Sequence, residues 1–205
     1  MKKESVLVAS AVLLVLLVAF TGVIARDHTT WILEVFPILI ALPVLAFTYR
    51  KFPLTNLLYV LIFMHAIILM TGGVYSYAKV PLGFYLQDLF DLSRNPYDKI
   101  GHFVQGFVPA LIAREILIRG NYVRGKKMLA FLVVCIILAI SATYELIEWA
   151  TALILGQGAE EFLGTQGDQW DTQSDMFFAV IGAVVAIVCL TRFQDKQIVA
   201  LEERK

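Results

Sequence analysis

MKKESVLVASAVLLVLLVAFTGVIA, residues 1–25, has two readings, and the fold turns on which is taken. The basic start at Lys2 and Lys3 followed by an apolar run fits a secretory signal that is later removed. It fits a first membrane helix equally well. A signal has an apolar core of about 7–15 residues and ends at a small-residue cleavage site. Here the run extends from Ser5 to Ala25, and Val23-Ile24-Ala25 is a poor cleavage site. A hydrocarbon layer about 30 Å thick is crossed by roughly 20 residues rising about 1.5 Å each. The run meets that length and is read as a span.

The rest of the chain repeats the pattern. Of its 205 residues, 59% are hydrophobic, against about 45–50% in an ordinary globular domain. A soluble domain of this size has no interior for so much apolar surface. Five further runs are long enough or nearly so: Trp31–Tyr49, Leu54–Gly72, Ile100–Ile118, Met128–Leu155 and Met176–Thr191. The expectation is an all-α, polytopic membrane helix bundle of about six transmembrane helices, forming one integral membrane domain over residues 1–205.

Seventeen basic and seventeen acidic residues give a formal net charge of 0, but they are not mixed. The side with the connections Arg50–Lys51 and Arg119–Lys127 and both ends of the chain, with Arg114 and Glu115 near the end of the fourth run, holds thirteen of the basic residues and five acids. The opposite side holds four basic residues (Arg26, Lys79, Arg94 and Lys99) and twelve acids. Lys and Arg are retained on the cytoplasmic side of short loops. The bias predicts cytoplasmic N- and C-termini in a bacterial inner membrane, which an even number of spans allows. The basic side reads as a topology signal and an anionic-lipid contact. There is no phosphate-binding glycine loop and no nucleic-acid motif, so the expected partners are the bilayer and an envelope lipid or lipid-linked ligand. Cys135 and Cys189 fall inside apolar runs; they make neither a disulfide framework nor a zinc pattern and read as packing residues.

Two connections are long, both on the acidic side. Residues 73–97 are aromatic, and LGFYLQDLFDL within them reads as a short helix lying on the membrane or as a packed cap over the bundle. Residues 156–172 carry Glu160, Glu161, Asp168 and Asp171, with glycines that suggest tight turns.

Polar groups converge at this side. In YDKIGHFVQGF, Asp98 and His102 are four residues apart on one helical face, with Gln105 three further on. His102 lies about 6 Å inside the outer boundary. In SATYELIEWATA, Glu145 and Glu148 reach the same level, and Ser141 is one turn deeper. Asp171 and Asp175 open the last helix, again four apart. Taken singly, each has a plain reading: Asp168 or Asp171 as a helix cap, Glu148 reaching to the interface, His102 satisfying a carbonyl. Taken together, they are acids near hydrocarbon that repel one another, and each costs up to roughly 2.5–3.5 kcal/mol at the bilayer centre. Only Arg94 and Lys99 are local bases. A divalent metal ion, a cationic ligand group or shared protons would settle the charge. Asp171, Asp175 and His102 are the candidate metal ligands, of a type that suits Mg²⁺, Mn²⁺, Ca²⁺ or a His/carboxylate Zn²⁺. His102, Asp98 and Glu145 are the candidate acid–base groups. Glu148, Asp168, Arg94 and Gln105 are candidates for holding a ligand or head group. His65 and Glu34 sit within spans, each either facing this site or bonded to a neighbouring helix. Arg114 and Glu115 are read as a pair or as snorkelling groups and are given no function.

Two segments, RNPYDKIGHFVQGFVPALIAREILIR and YELIEWATALILGQGAEEFLGTQGDQWDTQSDMFFAVIGA, resemble the YjdF-like family of bacterial inner-membrane proteins. The resemblance runs from the second helix onward and implies a polytopic cytoplasmic-membrane protein. A fainter outline is similar to the VanZ-like membrane proteins, linked to glycopeptide-antibiotic tolerance: Asp98-Lys99-Ile100-Gly101-His102-Phe103, then Glu145, then Asp175 with Gly182. The basic residue expected between the last two elements is absent from GDQWDTQSD.

Three functions compete. One is a membrane protein whose outward acidic/His site binds a metal or a lipid head group without catalysis. Another is a membrane-embedded, metal-dependent enzyme acting on envelope lipids, although no nucleophile signature is present. The third is a cation or proton transporter, for which His65 is the main polar residue midway across.

Overall fold

The computed structural model describes residues 3–155 and 165–203. Among the described residues all regular structure is helical. The order is α1 (Lys3–Ile24), α2 (His28–Thr48), α3 (Asn56–Tyr75), a 3₁₀ turn at Tyr77–Lys79, α4 (Pro81–Leu89), α5 (Tyr97–Arg119), α6 (Lys126–Leu155) and α7 (Asp171–Glu202). All except α4 and the 3₁₀ turn, six helices in number, are long and apolar enough to cross a membrane. The all-α reading and the six spans hold.

Helix ends fall within a few residues of the expected ones, save the last. The apolar run Met176–Thr191 is only the middle of α7. The segment FQDKQIVALE at 193–202 holds no Gly or Pro to stop a helix; its polar residues end the hydrocarbon-compatible run and not the helix. At about 1.5 Å per residue α7 is about 48 Å long, more than a bilayer core requires. The short helix expected near residues 82–92 is α4, which opens on Pro81, a position where the missing N–H is no loss. The glycines Gly156, Gly158 and Gly164, with Glu160 and Glu161, lie outside the described residues. Gly167 does form a turn, with φ of +84°.

The chain divides into two compact units. The first comprises Met1–Leu54 and Tyr59–Asp98. Its core joins Leu14 of α1, Val35 and Ile38 of α2, Ala66, Leu69 and Met70 of α3, and Tyr77, Val80 and Tyr97. Asp27 caps α2, accepting from Thr29 N at 2.9 Å and Thr30 Oγ1 at 2.7 Å. Pro37 and Pro43 sit inside α2, as spanning helices allow where neighbours resatisfy the freed carbonyls. The long connection is pinned by buried Asn95. Its Nδ2 donates to Val80 O at 3.0 Å, and its Oδ1 accepts from Tyr97 N at 3.0 Å.

The second unit comprises Thr55–Leu58 and Lys99–Lys205. Here α6 packs on α7, and α5 meets α7 backbone to backbone. A Cβ on Gly106 would fall 1.8 Å from Ala179 O, and one on Gly182 would fall 2.0 Å from Phe103 O. Only glycine permits that approach. At the Arg119 end of α5 a buried polar layer forms. Glu115 accepts from Thr55 N at 3.1 Å, Thr55 Oγ1 at 2.8 Å and Arg119 Nη1 at 2.7 Å. Arg114 donates to Gln194 at 2.9 Å and to Asp195 at 2.6 Å. Gln194 donates to Leu111 O at 2.8 Å, and Gln197 accepts from Leu57 N at 3.0 Å. The first turn of α3 is thus capped by side chains of α5 and α7, which satisfy N–H groups that its own helix leaves open. The cysteines depart from expectation. Cys135 and Cys189 are free and exposed, because the outer surface of a span is itself an apolar environment that suits a thiol.

Candidate functional site

The glycine seam between α5 and α7 sets what happens one turn away. Phe103 and Gly106 press on Gly182 and Ala179. His102 of α5 and Asp175 of α7 then face each other, with a ring nitrogen and a carboxylate oxygen within 4.8 Å. Helix α6 brings Glu145 and Glu148 to the same histidine. His102, Glu145 and Glu148 each offer one ligand atom, and these three atoms lie within 4.8 Å of one another.

His102 is 6% exposed and Glu145 is 7% exposed; Glu148 is half-buried. His102 Nδ1 lies 3.2 Å from Gln105 Oε1 and 3.8 Å from Glu145 Oε1. The first is a hydrogen bond that fixes the ring. The second is too long to be one. It is close to the spacing of about 3.4 Å that two ligands about 2.1 Å from a tetrahedral zinc would have. Glu145 Oε1 is fully buried and has no hydrogen-bond partner among the described residues, whereas the Thr172 hydroxyl donates to the same carboxylate and Asp171 lies close enough to repel it. Buried polar atoms are nearly always hydrogen-bonded, so this oxygen is an exception that calls for a partner. Ser141, one turn deeper on α6, is fully buried and its hydroxyl also has none.

The remaining expected residues are placed as follows. Asp171 (6% exposed) begins α7, and Asp175 (2% exposed) follows one turn later; the three-ligand groups include Asp175 and not Asp171. Asp168 accepts from Trp170 N at 2.9 Å and so shapes the turn into α7. Asp98 and Arg94 belong to the first unit. Asp98 is buried in the first turn of α5, one turn before His102. Within that unit Glu34 comes close enough to Asp98 for their charges to interact, and Tyr77 donates to Glu34. Arg94 is half-buried in the connection that precedes Asn95. His65 of α3 has a buried Nε2 without a partner.

Three features were missed from sequence: the hydroxyl of Thr172 as a partner of Glu145, the Tyr77–Glu34 pair, and the cation–π contact of Lys99 with Phe178. Neutral hydroxyls in TQSD and VYSYA carry no charge signal. The spacing of three between Lys99 and His102, and between Asp175 and Phe178, was the available clue.

The family described as Predicted membrane protein (DUF2238) matches residues 6–196. The inner membrane protein YjdF of Escherichia coli (strain K12) is 61% identical over 196 residues, covering 96% of this chain and 94% of its own length. This agrees with the YjdF-like resemblance and lends no support to the VanZ-like outline. No solved structure matches.

Proposed function

This chain belongs to the DUF2238 family of predicted membrane proteins, and from that premise we propose that it is a multi-pass protein of the bacterial cytoplasmic membrane whose outward end holds a divalent cation on His102, Glu145 and Glu148. The observation that carries the reading is the unpartnered, buried Glu145 Oε1, 3.8 Å from His102 Nδ1. A cation there would satisfy the Glu145 oxygen, His102 would ligate it through a ring nitrogen, and Glu148 would complete a three-ligand set. One imidazole with two carboxylates suits Zn²⁺ or Mn²⁺ and leaves positions open for a ligand from outside. On Nδ1 the cation would take the place of the hydrogen bond to Gln105 Oε1. The outward assignment rests on the thirteen-to-four bias of Lys and Arg. In this reading the protein binds and does not catalyse.

Metal analysis of protein purified in mild detergent tests the site. About one divalent ion per chain is expected, lost in Glu145→Gln and in His102→Ala. Stoichiometric metal in both variants would end the proposal. Orientation is tested separately. A fluorescent protein fused at the C-terminus should fold and fluoresce, as a cytoplasmic domain does, and a periplasmic alkaline phosphatase reporter fused there should stay inactive. The reverse pattern would place the acids inside the cell.

A further inference from the structure

Lys99 lies three residues before His102 on α5, and its ammonium stands 5.6 Å over the Phe178 ring. Phe178 lies three residues after Asp175 on α7, and Asp175 reaches within 4.8 Å of His102. Residues three apart are neighbours on a helix surface. The two contacts are therefore adjacent rungs of one α5–α7 seam, and a cation–π contact holds the ammonium beside the site.

The residues beside Glu148 and Asp171 are exposed indoles. Trp149 follows Glu148 and is 61% exposed; Trp170 precedes Asp171 and is 62% exposed. Tryptophan collects at the level of lipid head groups. A ligand entering past these rings comes from the bilayer.

Charge selects the kind of lipid. Glu145, Glu148, Asp171 and Asp175 set four negative charges against Lys99 and one divalent ion, leaving one in excess. An anionic head group would deepen that excess. A head group with both a phosphate and an ammonium adds nothing to it. Its phosphate suits the metal and Lys99, and its ammonium suits the aspartates. A primary ammonium has N–H donors for carboxylates; a quaternary one has none.

We infer that the site takes the head group of a membrane phospholipid bearing a phosphate and a primary ammonium, with the phosphate on the bound cation and Lys99 and the ammonium on Asp171 and Asp175. This rests on the cation reading proposed above. The test uses Mn²⁺ as probe in the full chain, reconstituted in nanodiscs of phosphatidylethanolamine, phosphatidylglycerol or phosphatidylcholine. Pulsed electron paramagnetic resonance reads whether phosphorus couples to the bound Mn²⁺. Coupling is expected in phosphatidylethanolamine, with loss in the other two lipids. Lys99→Gln should lose it while keeping Mn²⁺. Bound Mn²⁺ without phosphorus coupling, or equal coupling in all three lipids, overturns the head-group inference and leaves the cation site standing. Coupling restored in phosphatidylcholine by inorganic phosphate identifies free phosphate as the ligand and also overturns it. Failure of the wild type to bind Mn²⁺ overturns both.

Discussion

Gly106→Ala tests the seam on which the site geometry depends. The added methyl would stand 1.8 Å from Ala179 O. The obstacle is backbone, so no side chain can swing aside. To bring that contact to 3.0 Å, α5 and α7 must separate by about 1.2 Å, and overpacking of this kind costs typically about 1–3 kcal/mol. For a chain of this length that is a fall in Tm of roughly 2–12 °C, at about 2–4 °C per kcal/mol. The same movement carries Asp175 away from His102. Losing such a supporting group typically weakens metal affinity about 10–100-fold. Gly182→Ala should act alike, since its methyl would fall 2.0 Å from Phe103 O. The double variant should cost less than the two singles together, because one separation relieves both clashes. Thermal unfolding in detergent and Mn²⁺ titration by electron paramagnetic resonance measure the two effects. Wild-type Tm and wild-type Mn²⁺ affinity in Gly106→Ala would refute the reasoning.

The polar layer at the other end of α5 gives a second test. Glu115→Ala removes one partner of the buried ion pair with Arg119 and the acceptor of Thr55, a loss of about 3–5 kcal/mol; Glu115→Gln should cost less, and equal Tm values for Glu115→Ala and wild type would count against the network. Asp27 provides a pH test. Its hydrogen bond from Thr30, with smaller help from backbone N–H groups and His28, holds its carboxyl below the ordinary aspartate value of 3.8, against the raising effect of burial. A depressed folded-state pKa gives stability that is present above the unfolded value and lost as pH falls through the folded one. The difference in stability between wild type and Asp27→Asn should therefore be flat at neutral pH and shrink below about pH 4; a difference that persists unchanged at pH 2 would show that the charge is not what caps α2.

The spans were legible because the bilayer asks only for length and apolarity, and residues 5–25 or 31–49 supply both without any tertiary partner. The site was legible in part because acids stand out against hydrocarbon: Glu145, Asp171 and Asp175 are conspicuous for the cost of placing them there. Its pairings were less so. Sequence reading favoured Asp171, Asp175 and His102 as the ligand set, whereas the structure groups His102 with Glu145 and Glu148, and separately with Asp175. Helical spacing fixes neighbours along one helix, but the facing of α5 and α6 is set by packing. Arg114 and Glu115 were read as a pair or as snorkelling groups, whereas Glu115 pairs with Arg119 and Arg114 with Asp195. The other partners of Glu115, Thr55 and Gln194, are uncharged and lie 60 and 79 residues away, so no pairing of opposite charges could reveal them.

Two spanning helices, α5 and α6, present the same problem, a buried carboxylate, with opposite solutions. Glu115 is 0% exposed, and its two oxygens accept from Thr55 N, Thr55 Oγ1 and Arg119, with Gln194 Nε2 at 3.5 Å. Every donor comes from the protein itself, so the group is complete and serves to hold helices. Glu145 is nearly as buried, yet one of its oxygens has no hydrogen-bond partner among the described residues and lies 3.8 Å from a histidine nitrogen. An acceptor left open in low dielectric costs roughly 1–3 kcal/mol or more for a charged group. Filling it with a second Thr or Arg, as at Glu115, would remove that cost. The sequence keeps instead a histidine, another glutamate and two aspartates around it, groups that repel one another until something positive arrives. That contrast between the carboxylates of α5 and α6 is the physical argument for a ligand at Glu145 and for structure at Glu115.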